Sequence, residues 1–129
     1  MWKITLGELD AKLGIEILSQ SPQQVAARMP VAGNTQSLGR LHGGATAALA
    51  EALGSWAALI HASTMGMECV GVDLNITHHQ SAREGYVTGV ATAIRLGRRA
   101  ASHEVIITGE GGERLCTARI TNMIIDPMT

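Results

Sequence analysis

Phenylalanine is absent from this chain of 129 residues, and its aromatic side chains are Trp2, Trp56 and Tyr86. A core without large rings must be filled by Ala, Val, Ile, Leu and Met. Cysteine is scarce too: Cys69 and Cys116 stand alone, without a Cys-x-x-Cys spacing or a histidine pattern beside them. Such residues are expected to be small buried hydrophobes in a reducing compartment. An excess of one charge is also missing. The formal net charge is -1, so no global field draws nucleic acid to this surface, and any anion site must be local. Long apolar runs are lacking as well. Ala45 to Ile60 carries Glu51 and, at 16 residues, is too short and too polar to span a membrane. The opening "MWKITLGELDAKLG" is broken by charges within a few residues and has no signal-peptide core. With no repeats, low-complexity tracts or linkers, residues 1–129 read as one domain, expected in the cytoplasm with neither a membrane nor a nucleic-acid partner.

What is present is a change of character along the chain. "TLGELDAKLG" predicts a short helix from Thr5 to Gly14, with Thr5 and Glu8 spaced as a capping box and Gly14 as the stop. "IEILSQ" and "QQVAARMPV" flank the Ser21-Pro22 turn as a hairpin. Gly33 to Leu41 is a polar loop, and a long helix follows from Gly43 to about Ala62. Beyond it come four strand-like runs, "ECVGVDLNITHH", "YVTGVATAIRL", "ASHEVIITGE" and "RLCTARITNMIID", separated by "SAREG", "GRR" and "EGGE". The expected layout is α+β, one long helix against five or six antiparallel strands. One helix covers one face of such a sheet, so the other face or an edge is expected to pair with a second copy.

The long helix poses the chemical question. Alanine, leucine and tryptophan occur all round it, which predicts burial on every side. Glu51 is the one acid within it, and an unpaired buried carboxylate costs several kcal/mol or is pushed toward neutrality. It must find a cation, a cleft or a reaction. Ser55 lies one turn on, on the same face, where it can meet that carboxylate or bond back to its own helix. Gly43 and Gly44 open the helix with unsatisfied N–H groups, a place for a polarised oxygen or simply for close packing. Glu51 lies eight residues beyond Gly43, roughly 12 Å along the axis. A small reacting group cannot touch both from one helix. If they serve one site, they come from two antiparallel helices related by a two-fold.

"LHGGATAALAEALGS", "GVDLNITHHQSAREG" and "RLGRRAASHEVII" together resemble the hotdog-fold acyl-CoA thioesterases over about Leu13 to Ile125. The branch is that of the Arthrobacter-type 4-hydroxybenzoyl-CoA and the bacterial 1,4-dihydroxy-2-naphthoyl-CoA thioesterases. This resemblance implies a helix wrapped by an antiparallel sheet, assembled as a homodimer or, as a dimer of dimers, a homotetramer. It implies hydrolysis of an acyl-CoA, with CoA as part of the substrate and neither cofactor nor metal. Glu51 matches the catalytic carboxylate and Gly43 the backbone N–H that polarises the thioester carbonyl. Gln36 matches a glutamine near the thioester, His42 the histidine that orients the loop or acyl group, and Ser55 a residue that positions the carboxylate or its water. Glu51 would attack the carbonyl itself or act as general base on water, with oxyanion charge resting on the Gly43 N–H in both routes. For the CoA moiety the resemblance points to Ser81 and Arg83. The cluster Arg95, Arg98 and Arg99 offers local positive charge for its phosphates.

His78 and His79, adjacent on a strand, point to opposite faces and cannot share one metal ion. His61 is expected to complement the C-terminal helix dipole. Met65, Met67 and the N-terminal helix are candidates for the acyl pocket. Two other readings of the same fold stand beside hydrolysis. A dehydratase or hydratase needs a histidine paired with a carboxylate, and Asp10, Asp73 and Asp126 have no such companion. A non-catalytic acyl-CoA-binding domain would not need Glu51 and Ser55 at this spacing.

Overall fold

Alternation of small apolar and polar side chains builds the sheet. In strand β2 (Gln24–Pro30), Val25, Ala27 and Met29 point inward while Ala26 and Arg28 face out. The computed structural model describes residues 1–128, and the chain runs α1 (Glu8–Leu13), β1 (Glu16–Gln20), β2, α2 (Gly43–Ser63), β3 (Glu68–His78), β4 (Tyr86–Leu96), β5 (Ala100–Thr108) and β6 (Arg114–Ile125). The strands form one antiparallel sheet in the order β1-β2-β4-β5-β6-β3. This is the α+β hotdog arrangement: a long helix lies along the inner face of a six-stranded sheet that curls round it. Among the described residues no helix is long and apolar enough to cross a membrane.

The absence of rings shows in how tightly helix and sheet meet. A Cβ on Gly54 of α2 would lie 1.7 Å from Ile120 Cγ2, and one on Gly89 of β4 would lie 2.5 Å from Leu53 Cδ1. Glycine at these two points lets α2 sit down on the sheet. Met29, Leu49, Leu53, Ile60, Ile107 and Ile120 fill the space around them and are fully buried.

Two expectations are corrected. Helix α1 begins at Glu8, and its first-turn bond runs from the Gly7 N–H to Asp10 Oδ2 at 2.7 Å, so Thr5 is no cap. Helix α2 is not buried all round. Ala48, Glu51, Ala52, Ser55 and Leu59 form a half-buried stripe, because one chain's sheet encloses only part of the helix circumference. That stripe runs beside β3, whose outer edge is unpaired and whose Val70 and Val72 are exposed.

Candidate active site

Glu51 sits in the middle of that stripe. Its Oε2 accepts a hydrogen bond from Ser55 Oγ at 3.1 Å, one helical turn on. Ser55 thus bonds the carboxylate and not the helix backbone. Among the described residues neither of the two ion pairs, Arg28–Glu16 and Arg119–Asp73, involves Glu51, and its Oε1 accepts no hydrogen bond. Opposite, across the inner face, Gly71 of β3 pairs with Asn122 of β6, and the register slips between Gly71 and Asp73. A Cβ at Gly71 would come within 2.7 Å of Glu51 Oε2, so glycine there leaves room for the carboxylate. Asn122 is fully buried, and its Oδ1 lies 3.3 Å from Ser55 Oγ.

The second half of the chemistry lies at the start of α2. His42 caps the helix: with extended backbone, its Nδ1 accepts from the Gly44 N–H at 2.7 Å. The neighbouring Gly43 N–H has no partner among the described residues, and Gly43 lines a cleft of about 320 Å³ together with Gln36, Thr46, His78 and Ser81. His42 itself turns the other way, into a shallower depression beside Ala48. Gln36 folds its side chain back to accept from the Leu38 N–H. The structure therefore brings Gln36, Gly43 and Ser81 together at one cleft and leaves Glu51 about two turns away along α2 and Ser55 a turn further on. His78 is the side chain that spacing alone misses. Its ring lies over Gly43, where an added Cβ would approach within 3.2 Å, while Nδ1 stands 3.4 Å from both Thr46 Oγ1 and Cys116 Sγ.

Similarity to known proteins gives the family. Residues 38–116 match the thioesterase superfamily. The chain belongs to that superfamily. The proofreading thioesterase EntH of Cronobacter turicensis is 39% identical to it over 94% of this chain and 88% of its own. A thioesterase of Haemophilus influenzae superposes with a TM-score of 0.86 at 35% identity, covering 94% of this chain and 85% of that one. A Pseudomonas aeruginosa thioesterase variant gives 0.86 at 36%, covering 91% and 85%. The protein is a thioester hydrolase.

In this thioesterase the remaining candidates separate by place. Arg95, Arg98 and Arg99 line a depression at the β4–β5 turn. That turn is tied to the far end of α2, where His61 Nε2 lies 2.7 Å from the Gly97 carbonyl oxygen. His61 thus serves the turn rather than the helix end alone. Arg83 is exposed between β3 and β4, two residues from Ser81. Met67 lies with Trp2 and Leu59 in another depression, and neither it nor Met65 reaches the Gly43 cleft. His78 faces the cleft and His79 bonds Thr117, so the two diverge. Among the described residues no three His, Cys, Asp or Glu side chains gather as a metal site. Burial raises the Cys116 thiol above its usual range despite a bond with Thr46, and pushes Cys69 up to about 11. Both stay protonated and are poor nucleophiles.

Proposed function

We propose that this thioesterase hydrolyses an acyl-CoA, with an aryl acyl group as in the branch it resembles, at sites shared by two copies of the chain. The observation that carries the reading is the stripe: Glu51, with one free oxygen, lies on the part of α2 that one chain's sheet leaves open. The stripe borders an unpaired β3 edge bearing exposed valines, a template for strand pairing. A two-fold there runs two α2 helices antiparallel and brings Glu51 of one chain to the Gly43 N–H of the other. The thioester carbonyl oxygen then lies on that N–H, and Glu51 attacks the carbonyl carbon or takes a proton from the attacking water. Gln36 flanks the carbonyl, Ser55 holds the carboxylate, and His42 keeps the helix terminus in shape.

The same two-fold offers anchoring for the CoA phosphates at both ends. Ser81 and Arg83 flank the Gly43 of their own chain. In the chain that supplies Glu51, the turn with Arg95, Arg98 and Arg99 stands beside that chain's own His61, about 15 Å from Glu51 at 1.5 Å rise per residue. A pantetheine arm can bridge such a span. Release of free thiol from a panel of aryl- and alkyl-CoA thioesters tests the activity, with Glu51→Gln as control. The expected outcome is turnover of aryl thioesters that falls by about a hundredfold or more in the variant while the fold is kept. Full activity in Glu51→Gln overturns the assignment, and ligand binding without thiol release favours a binding domain.

A further inference from the structure

Asn122 has no place in the reaction as described, yet its environment is unusual. It stands at an inward position of β6 between Ile120 and Ile124, fully buried, and its Nδ2 has no hydrogen-bond partner. A buried amide with an unmade bond is costly, and fully satisfied partners are the rule for such groups. Among the described residues its one side-chain hydrogen-bond partner is Ser55 Oγ, which also bonds Glu51 Oε2. Serine has a single hydroxyl hydrogen. An ionised carboxylate can only accept, so that hydrogen belongs to Glu51, and Ser55 Oγ has only lone pairs left for Asn122. The two ends of an amide have the same outline, and hydrogen bonding decides which end faces which neighbour.

We infer that Asn122 turns its amide nitrogen to Ser55 and acts as a positioning residue, donating to Ser55 Oγ so that the serine hydrogen is held on Glu51. This orientation makes the bond that the unpartnered NH₂ lacks. It leaves instead a carbonyl oxygen short of a partner, the milder deficit. The chain Asn122 to Ser55 to Glu51 then has one direction. It fixes Oε2 against Gly71 and leaves Oε1 for the substrate. The inference rests on the role given to Glu51 above.

Asn122→Leu has nearly the same shape and carries no polar atoms. If Asn122 only filled space, this change would leave kcat unaltered. The relay predicts a kcat about tenfold lower, the loss expected for one charge-assisted hydrogen bond, with KM within about twofold. Tm should stay level or rise, since a poorly satisfied polar group leaves the core. On a Ser55→Ala background the same change should cost nothing further. Asn122→Val, apolar and unable to donate, should lose as much kcat, and it serves if the leucine variant does not fold. In the unmutated protein, Ser55→Ala should also shift the Asn122 side-chain amide NMR signals. Unchanged kcat in both variants, or losses additive with Ser55→Ala, or amide signals indifferent to Ser55, overturn the relay. Glu51→Gln is measured alongside: if it abolishes turnover, such a failure concerns Asn122 alone, whereas an active Glu51→Gln removes the functional reading itself.

Discussion

His103 and Glu51 are ionisable groups that the fold places in opposite settings, one sealed in the core and one on an open stripe. His103 faces inward from β5, fully buried, with Nε2 3.2 Å from the Pro22 carbonyl oxygen and Nδ1 without a partner. That pattern suits the neutral ring with its proton on Nε2. A second proton on Nδ1 would meet no acceptor. Burial accordingly lowers the His103 pKa, helped by the nearby His61 and opposed by the Pro22 carbonyl. The unfolded chain takes up a proton near pH 6.5, where the folded one resists it. The contribution of His103 to stability is therefore complete above that pH and declines as pH falls below it. Thermal melts from pH 8 to pH 5 should show Tm dropping below about pH 6.5, and a flatter profile in His103→Leu. Glu51, by contrast, has a serine, a glycine opposite and an open side. The sequence marks this carboxylate because it is the one acid in an apolar helix. Nothing in motif spacing marks Asn122, whose signal is the period-two placement of a polar residue between two isoleucines. His78 escapes because its value depends on a ring lying over Gly43, a contact between residues far apart in the chain.

At the scale of elements, α2 and the strands were legible because apolar periodicity and turn residues agree. The helix spans Gly43–Ser63 against an expected end near Ala62, and each strand run matches an observed strand, β5 starting one residue before its run at Ala100. The exposed stripe was not legible. A helix rich in alanine looks apolar all round, and which side stays open depends on how far the sheet curls. Close approach of α2 to the sheet is likewise a tertiary fact, localised at Gly54. Gly54→Val should destabilise the protein by about 2–3 kcal/mol or more, because the added atoms collide with Ile120 and overpacking exceeds any gain in helix propensity. Urea unfolding monitored by tryptophan fluorescence reads this directly. Stability equal to the parent protein would mean that α2 and β6 do not meet there.

The whole molecule carries the main consequence of the helix geometry. Gly43 and Glu51 are too far apart along α2 to serve one small carbonyl, while the open stripe and the free β3 edge invite a two-fold that unites them. Sequence spacing alone suggests this shared site, and the structure supplies the surface on which it would form.

Mixing of two inactive chains tests the shared site most directly. Gly43→Pro removes the proposed oxyanion N–H at a position where proline suits a helix start, and the extended backbone of His42 accepts a proline after it. Gly43→Ala, which keeps the N–H, controls for crowding of His78. Gly43→Pro and Glu51→Gln should each fall about a hundredfold or more in kcat when expressed alone. Co-expressed at equal levels, half of the dimers are mixed and each mixed dimer holds one intact site of two. Thiol-release activity should then recover to about one quarter of the unaltered protein. Activity that stays at the level of the two single variants would place Gly43 and Glu51 in the same chain's site and contradict the account.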